Sequence, residues 1–283
     1  MLKITNLEKK YRDFHLNCSL EVPAGRVTGL IGANGAGKST LIKAMLGLIS
    51  TDNGEIELFG KSIKEIKVAD KEKMGVVLAE SGFSGYISIR DIIPILSAMY
   101  HSFEKEKFES YCKQYDLPLD KKIKDFSTGM KAKLKVLVAI THQARFLVLD
   151  EPTIGLDVLV RDELLDILCA YMEEDENCSI LISSHISSDL EGLCDDLYMI
   201  DNGQIVLHEE VDTILDGYGI LKVTEEQYQK LEQKYILRVR QESFGYACLT
   251  DQKQFYLENY PDLTIEKGSI DEVISFMVRG EKR

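Results

Sequence analysis

The segment GANGAGKST, Gly32–Thr40, constrains the fold of this chain more than any other part of its sequence. Its first eight residues match the pattern GxxxxGK[ST], in which glycines keep side chains away so that backbone N–H groups converge on phosphate oxygens. The apolar run RVTGLI before it predicts a buried strand, and LIKAMLGL after it has helical spacing. A strand, a glycine-rich loop and a helix in this order predict a phosphate site at the positive end of the helix dipole.

Two side chains of this loop carry most of its expected chemistry. Lys38 is predicted to reach the β- and γ-phosphates of a nucleotide, and the Ser39 hydroxyl to be a ligand of Mg²⁺. The other loop residues that we predict to contact the nucleotide, through converging backbone N–H groups, are Gly32, Asn34, Gly35, Ala36 and Gly37.

A second apolar run, FLVLDE, ends in the two acids Asp150 and Glu151. Asp150 is predicted to hold Mg²⁺ through water, and Glu151 to orient and deprotonate an attacking water. A pair of solvated acids at a strand end is the simpler alternative, but the phosphate loop elsewhere in the chain favours the chemical role.

A third apolar run, SILISSH, ends at His185. Parallel sheets bind ligands at the carboxyl ends of their strands, so His185 is predicted to lie beside the phosphates and to hydrogen-bond the γ-phosphate. A lone histidine is more often a structural residue, and it is the position relative to the other two motifs that favours the functional interpretation.

The apolar runs alternate with helical segments, which predicts an α/β fold with a parallel sheet covered on both faces. Asn202-Gly203 between two strand-like runs predicts a hairpin, and DNGEIELFG predicts another turn and strand, so we expect a mixed sheet. A mostly helical insertion is expected at about residues 80–145. These features predict a phosphate-loop core over residues 1–216.

The sequence changes character after Gly217. Six of the thirteen tyrosines lie beyond it, and Ser269–Glu272 forms a capping box ahead of an apolar helix face. Residues 217–283 are therefore predicted to form a small C-terminal α/β domain.

The composition limits the partners and the compartment. The formal net charge is −13, which argues against a protein that grips nucleic acid through its phosphate backbone. The six cysteines form no CxxC pair, the chain starts without an apolar leader, and no apolar run reaches the roughly 18 residues of a membrane span. We expect a cytosolic protein with reduced thiols, and any membrane-spanning part on another chain.

Two further motifs carry a resemblance to a known family. FSTGM has its serine 23 residues before Asp150, and PTIGLD follows Glu151 directly. With the phosphate loop, they resemble the ATP-binding subunits of ABC transporters over residues 1 to about 216. The resemblance implies ATP and Mg²⁺ as ligands and a head-to-tail dimer, in which FSTGM binds the ATP that the opposite subunit holds. Ser127 and Gly129 would then face the γ-phosphate in trans; the simpler alternative is an ordinary helix N-cap at Ser127.

The same resemblance assigns three more residues. Asp157 matches the acid that crosses the dimer, Thr40 matches a contact to the α-phosphate, and Tyr11 matches the aromatic residue that stacks on adenine. A tyrosine that merely ends a strand remains the alternative for Tyr11.

The chain departs from the family pattern at two places. Thr128 and Met130 replace the usual glycine and glutamine of the signature. In GVVLAES, Gly75–Ser81, Ala79 stands where the family has a metal-contacting glutamine, so either Glu80 substitutes for it or this contact is missing.

The resemblance implies an ATP-hydrolysing subunit that powers export through a separate membrane-spanning subunit. It would act at the cytoplasmic face of the membrane, paired with a second copy of the chain or a homologue, and would receive the membrane partner around Glu80–Tyr100. The C-terminal segment SIDEVISFMVRGEKR also resembles the ending of exporter-type ATPase subunits. The alternatives are a soluble ABC ATPase of translation or DNA repair and a regulatory subunit that binds ATP without turnover.

Overall fold

The computed structural model describes residues 1–80 and 82–282. Ser81, at the end of GVVLAES, and Arg283, at the end of the predicted C-terminal domain, lie outside the described residues.

The strands of the described residues, in chain order, are β1 (Leu2–Lys10), β2 (His15–Val22), β3 (Val27–Ile31), β4 (Asn53–Leu58), β5 (Lys61–Ser62), β6 (Met74–Val77), β7 (Phe146–Asp150), β8 (Ser179–Ser184), β9 (Asp196–Asp201), β10 (Gln204–Glu210), β11 (Gly219–Val223), β12 (Ile236–Glu242), β13 (Gly245–Thr250), β14 (Thr264–Lys267) and β15 (Glu281–Lys282).

The α-helices of the same residues are α1 (Lys38–Met45), α2 (Val68–Lys71), α3 (Ile89–Met99), α4 (Lys105–Gln114), α5 (Thr128–Ile140), α6 (Val158–Glu174), α7 (Ser188–Glu191), α8 (Val211–Gly217), α9 (Glu225–Lys230), α10 (Lys253–Asn259) and α11 (Ile270–Arg279). None of the helices in the described ranges is long and apolar enough to cross a membrane.

The central sheet has the order β10-β9-β3-β8-β7-β6. β9, β3, β8, β7 and β6 run parallel, and β10 pairs antiparallel with β9 through the predicted Asn202-Gly203 hairpin. Every residue of β3, β7 and β8 is buried, as expected for strands covered on both faces. Because these three strands are parallel neighbours, the residues that follow their carboxyl ends meet at one edge of the sheet.

Each face of the central sheet is covered by a different layer. On one face, α1 packs between the sheet and a four-stranded antiparallel sheet of order β2-β1-β4-β5, in a cluster that includes Leu7, Leu41 and Phe146. The other face packs against α5 and α6 in a larger cluster that includes Leu137, Leu149 and Leu164. The helices α3, α4 and α5 lie between β6 and β7 in the chain and form the predicted helical insertion.

A third sheet, of order β14-β11-β13-β12-β15, is antiparallel throughout. One of its faces packs with α9 and α10 in a cluster rich in tyrosine. On its other face, Ile220 and Leu249 share a cluster with Phe276 of α11 and Ile214 of α8, and this cluster is continuous with the core of the central sheet. The α/β class with a mixed sheet is confirmed, whereas the boundary at residue 216 stays a prediction, since α8 runs up to Gly217 and its apolar face lies in the shared cluster.

Candidate active site

The phosphate loop leaves the carboxyl end of β3 and enters α1 with two residues in the left-handed backbone region. Gly35 has φ of 83° and Gly37 has φ of 117°, values that L-residues with a side chain rarely adopt. A Cβ at Gly37 would also lie 2.9 Å from Phe14 Cζ. The glycine therefore lets the side chain of Phe14 pack directly on the loop.

Lys38 lies within this loop with only 5% of its surface exposed. Its Nζ donates to the carbonyl oxygens of Gly32, at 2.6 Å, and Ala33, at 3.3 Å. The same nitrogen lies 3.0 Å from Glu151 Oε1, so the lysine forms a buried ion pair across the site. A cation is thus already held at the loop that is expected to bind phosphates.

Glu151 connects the lysine to the histidine. It is 8% exposed, and its other carboxylate oxygen, Oε2, lies 2.6 Å from His185 Nδ1. Its backbone φ of 51° is in the left-handed region, which is unusual for a residue with a side chain and costs conformational energy. The structure therefore brings the three predicted catalytic residues, Lys38, Glu151 and His185, into one continuous set of contacts.

The hydrogen bond of Asp150 involves Ser183, a residue that sequence reasoning missed. It is 2% exposed and accepts a hydrogen bond from Ser183 Oγ at 2.7 Å. The same hydroxyl accepts the backbone N–H of Glu151 at 3.0 Å, so Ser183 orients both acids. The position of Ser183 just before the end of SILISSH was the available signal, but only the parallel register of β7 and β8 pairs it with Asp150.

The donor set is suited to Mg²⁺ bound together with a nucleotide. The described residues hold no cluster of three or more His, Cys, Asp or Glu side chains that could enclose a metal ion. Mg²⁺ commonly uses one or two protein oxygen ligands, waters and the phosphates of its substrate. The partly buried Ser39 hydroxyl at the start of α1 and the buried Asp150 carboxylate are oxygen donors of this kind.

Ser127 and Gly129 lie at the start of α5. The exposed Ser127 is the N-cap, and its hydroxyl accepts the N–H of Met130 at 3.1 Å. Gly129 is buried, and a Cβ there would lie 2.5 Å from Val160 Cγ1 on α6. Within one chain, Ser127 is therefore an ordinary helix N-cap, the simpler alternative given above. Gly129 allows α5 and α6 to approach closely.

Asp157 is the N-cap of α6, where its carboxylate accepts the N–H of Val160 at 3.0 Å. It is exposed, and the neighbouring apolar side chains of Ile154, Val158 and Leu159 are 48%, 61% and 76% exposed. An acid flanked by exposed apolar groups is typical of a surface that another protein covers.

Tyr11, predicted to stack on adenine, is 49% exposed beside the loop. Its ring centroid lies 6.3 Å from that of Phe14, the residue packed on Gly37. Phe14 is thus a second aromatic residue beside the phosphate loop, and no local sequence pattern indicates it because its approach to the loop is a tertiary contact.

Glu80 lies beside α1, the helix that follows the phosphate loop. Its side chain is 87% exposed, and its carboxylate lies 3.6 Å from Lys43 Nζ on α1. Ala79 lines a cavity of about 390 Å³ together with Asp150 and Glu151. Among the described residues, Glu80 makes no hydrogen bond or ion pair with Asp150 or Glu151.

The fold and this constellation define a phosphate-loop ATPase, and comparisons with known proteins assign its family. The family model described as ABC transporter matches residues 16–154. The lantibiotic transport ATP-binding protein SrtF of Streptococcus pyogenes is 36% identical over 215 residues, which cover 75% of this chain and 92% of that protein. The bacitracin transport ATP-binding protein BcrA of Enterococcus faecalis is 32% identical over 216 residues, which cover 75% of this chain and 69% of that protein. The chain belongs to the ATP-binding subunits of ABC transporters, and it is an ATPase that powers transport.

Solved structures agree on the fold. An ATP binding subunit of an ABC transporter superposes with a TM-score of 0.67 at 24% identity, over 76% of this chain and 91% of that one. The MJ0796 cassette, solved as a dimer in a post-hydrolysis state with ADP and Pi, superposes with a TM-score of 0.66 at 17% identity, over 75% of this chain and 99% of that one. The relatives named above are transport proteins, and none of them favours the alternative of a soluble ATPase in translation or DNA repair.

Proposed function

We propose that this subunit binds Mg²⁺-ATP between its own phosphate loop and the FSTGM segment of a second subunit, and that Glu151 is the general base for hydrolysis. The observation that carries the proposal is the division of the predicted groups. Glu151 contacts both Lys38 and His185, whereas Ser127 and Asp157 are exposed at the starts of two other helices. A site divided in this way is incomplete in one chain and is completed by a second.

The buried ion pair gives the first step of the mechanism. Lys38 neutralises Glu151 until a γ-phosphate arrives, and the lysine then turns its charge to the phosphate. This releases the Glu151 carboxylate to accept a proton from the attacking water. His185, whose Nδ1 lies 2.6 Å from Glu151 Oε2, holds the carboxylate in place, and as an imidazolium it would donate to the phosphate with its other nitrogen.

Bound Mg²⁺ supplies charge neutralisation at the phosphates, and Ser39 and Asp150 are the residues that would hold it. Ser183 fixes Asp150 for this role, because its hydroxyl donates to that carboxylate at 2.7 Å. Thr40 and Tyr11 complete the contacts to the α-phosphate and the adenine.

The subunit works at the cytoplasmic face of a membrane with a separate membrane-spanning protein, and transport runs outward. Two relatives are named for lantibiotic and bacitracin transport, which makes antibiotic compounds the first class of cargo to test. Exposed apolar side chains between β6 and α4, including Tyr86 at 77%, Ile95 at 48% and Met99 at 59%, offer a surface for the membrane partner.

Phosphate release from Mg²⁺-ATP by the purified subunit tests the catalytic assignment. Glu151→Gln keeps the shape of the side chain and removes the proton acceptor, so we expect turnover to fall about 100-fold or more. Wild-type turnover in that variant would show that Glu151 is not the base.

A further inference from the structure

A buried carboxylate outside the predicted site contacts three of its segments. Asp189, in α7, has no exposed surface. Its Oδ2 accepts hydrogen bonds from Thr153 Oγ1 at 2.5 Å and from Ser184 Oγ at 3.4 Å. Its Oδ1 lies 3.2 Å from Arg161 Nε on α6.

Each of these partners is adjacent to a residue of the site. Thr153 is two residues after Glu151, Ser184 directly precedes His185, and Arg161 is one turn into the helix that Asp157 caps. The backbone N–H of Arg161 donates to the Asp157 carbonyl at 3.0 Å, so the charged side chain and the cap belong to the same rigid turn. One carboxylate therefore links the base, the histidine and the exposed acid of the expected dimer surface.

The Arg161–Asp189 contact is close but poorly aligned. In the described part of the chain, Arg161 Nε and Asp189 Oδ1 are buried and make no well-directed hydrogen bond, although they are only 3.2 Å apart. A small movement of the first turn of α6 would change this contact, and Asp189 would transmit the change to Thr153 and Ser184, which donate to its other oxygen. Burying an ion pair adds little net stability in general, so stability alone is a weak reason for its presence.

We propose that Asp189 is a positioning residue that couples the start of α6 to the catalytic pair Glu151 and His185. When a second subunit covers Asp157 and the apolar residues beside it, the Arg161–Asp189 pair sets the loop of Glu151 in its reactive position. The proposal rests on the proposed function of Glu151 as the base.

The test separates charge coupling from stability by comparing single and double variants. Asp189→Asn keeps an acceptor for Thr153 but removes the buried carboxylate 3.2 Å from Arg161 Nε, and the other carboxylate near that nitrogen, Asp162, is 4.0 Å away and largely exposed, so we expect lower stability. In R161L/D189N the charge and its partner are both absent, so the melting temperature should recover most of the loss. A merely structural role predicts that turnover recovers with it.

The coupling role predicts a different result for R161L/D189N. Its kcat should remain at least about tenfold below that of the wild type, because the loop of Glu151 is no longer set by α6. Its KM and its Kd for Mg²⁺-ATP should stay within about threefold, since the phosphate loop is not touched. A folded double variant with wild-type kcat would overturn the proposal.

Two controls make the outcome interpretable. Asp196→Asn alters another buried carboxylate, which accepts from Thr28 Oγ1 at 2.9 Å at the start of β3, the end of the strand away from the phosphate loop. It should lower the melting temperature while kcat per folded molecule stays at the wild-type level. Glu151→Gln, measured alongside, shows which of the two proposals fails. Normal turnover in Glu151→Gln rejects Glu151 as the base. Lost turnover in Glu151→Gln together with normal turnover in R161L/D189N rejects only the positioning role of Asp189.

Discussion

At the scale of single residues, the Lys38–Glu151 ion pair is the contact with which a bound nucleotide would compete. Both side chains are at most 9% exposed, so the pair is shielded from solvent and from salt. On the proposal that Lys38 binds the phosphates, ATP has to break this contact first. The pair would then oppose nucleotide binding and neutralise Glu151 while no phosphate is present.

The first prediction follows from the competition between Glu151 and the phosphates for Lys38. Glu151→Gln should bind Mg²⁺-ATP about three- to tenfold more tightly than the wild type, because a neutral amide holds Lys38 less strongly than a carboxylate does. Titration of a fluorescent ATP analogue against both proteins measures the ratio. Lys38→Ala serves as the control and should bind more weakly than either. Equal affinity of the wild type and Glu151→Gln would show that the ion pair does not compete with the nucleotide.

The thiols give a second prediction at this scale. Burial raises the pKa of Cys18 and of Cys112 to about 12, and burial also raises the pKa of Cys194 well above its usual value. A raised pKa lowers the thiolate fraction at neutral pH, and the thiolate is the reactive form. Burial also raises the pKa of Cys169, but this thiol is partly exposed whereas the other five cysteines are buried, so access distinguishes it.

We therefore expect a maleimide to label the native protein at pH 7 chiefly on Cys169, and all six cysteines after denaturation. Mass spectrometry counts the labels, and Cys169→Ser should abolish the native label. Rapid native labelling of Cys18 or Cys112 would contradict the buried positions that the structure gives them.

At the scale of elements, the contact between α5 and α6 positions both exposed helix starts. Gly129 is the point of closest approach, because a Cβ there would come within 2.5 Å of Val160. The sequence predicted a glycine near a phosphate at this position, and the structure adds a packing reason for the same residue. Ser127 and Asp157 are presented from one rigid pair of helices as a result.

Gly129→Ala should therefore lower stability by about 1–3 kcal/mol, the usual cost of forcing a methyl group into a well-packed contact. Val160→Ala in the same chain removes the opposing methyl groups and should restore part of the loss. Chemical denaturation of the four combinations measures the coupling. Gly192→Ala is the matched control, since a Cβ there meets nothing within 4 Å. Additive effects of Gly129→Ala and Val160→Ala would mean that these residues do not clash.

At the scale of the whole molecule, the C-terminal sheet shares a core with the ATPase part. Val211 and Ile214 of α8 are at most 3% exposed and lie in one cluster with Val273 and Phe276 of α11.

A chain that ends at Gly217 should fold but melt at a lower temperature, because α8 loses the cover of its apolar face. Exposing two buried aliphatic side chains costs about 3–6 kcal/mol. Mg²⁺-ATP binding should persist, because the truncation leaves the phosphate loop and β7 in place. Phe276→Ala in the full chain is the control and should show a smaller fall. A folded, truncated protein that does not bind ATP would place the C-terminal sheet in the nucleotide site.

The parts of this molecule that local sequence determines were the ones that could be predicted. The phosphate loop, the two acids at the carboxyl end of β7 and the histidine after β8 follow from short patterns, because each lies where a buried strand ends. Ser183 and Phe14 act through contacts between segments far apart in the chain, and no local pattern shows the register that creates them. The shared core of α8 and α11 was hidden for the same reason: an amphipathic helix shows that it has an apolar face, not what covers it.

The division of the site between two subunits is the central claim, and Ser127 offers the most direct way to test it. Ser127 is an exposed helix N-cap, so an arginine there adds bulk at the expected trans contact and also removes a cap. Ser269, the exposed N-cap of α11, allows the same substitution away from the predicted interface. The variant E151Q/S269R therefore controls for the loss of a serine cap and for added charge.

The measurement is the molar mass of Glu151→Gln by light scattering with and without Mg²⁺-ATP, at high protein concentration. We predict a dimer with ATP and a monomer without it, for Glu151→Gln and for E151Q/S269R alike. We predict that E151Q/S127R binds ATP but stays monomeric, because the added side chain blocks the contact of FSTGM with the nucleotide of the other subunit. A dimer of E151Q/S127R in ATP, as abundant as that of Glu151→Gln, would contradict the proposal that Ser127 completes the opposite site.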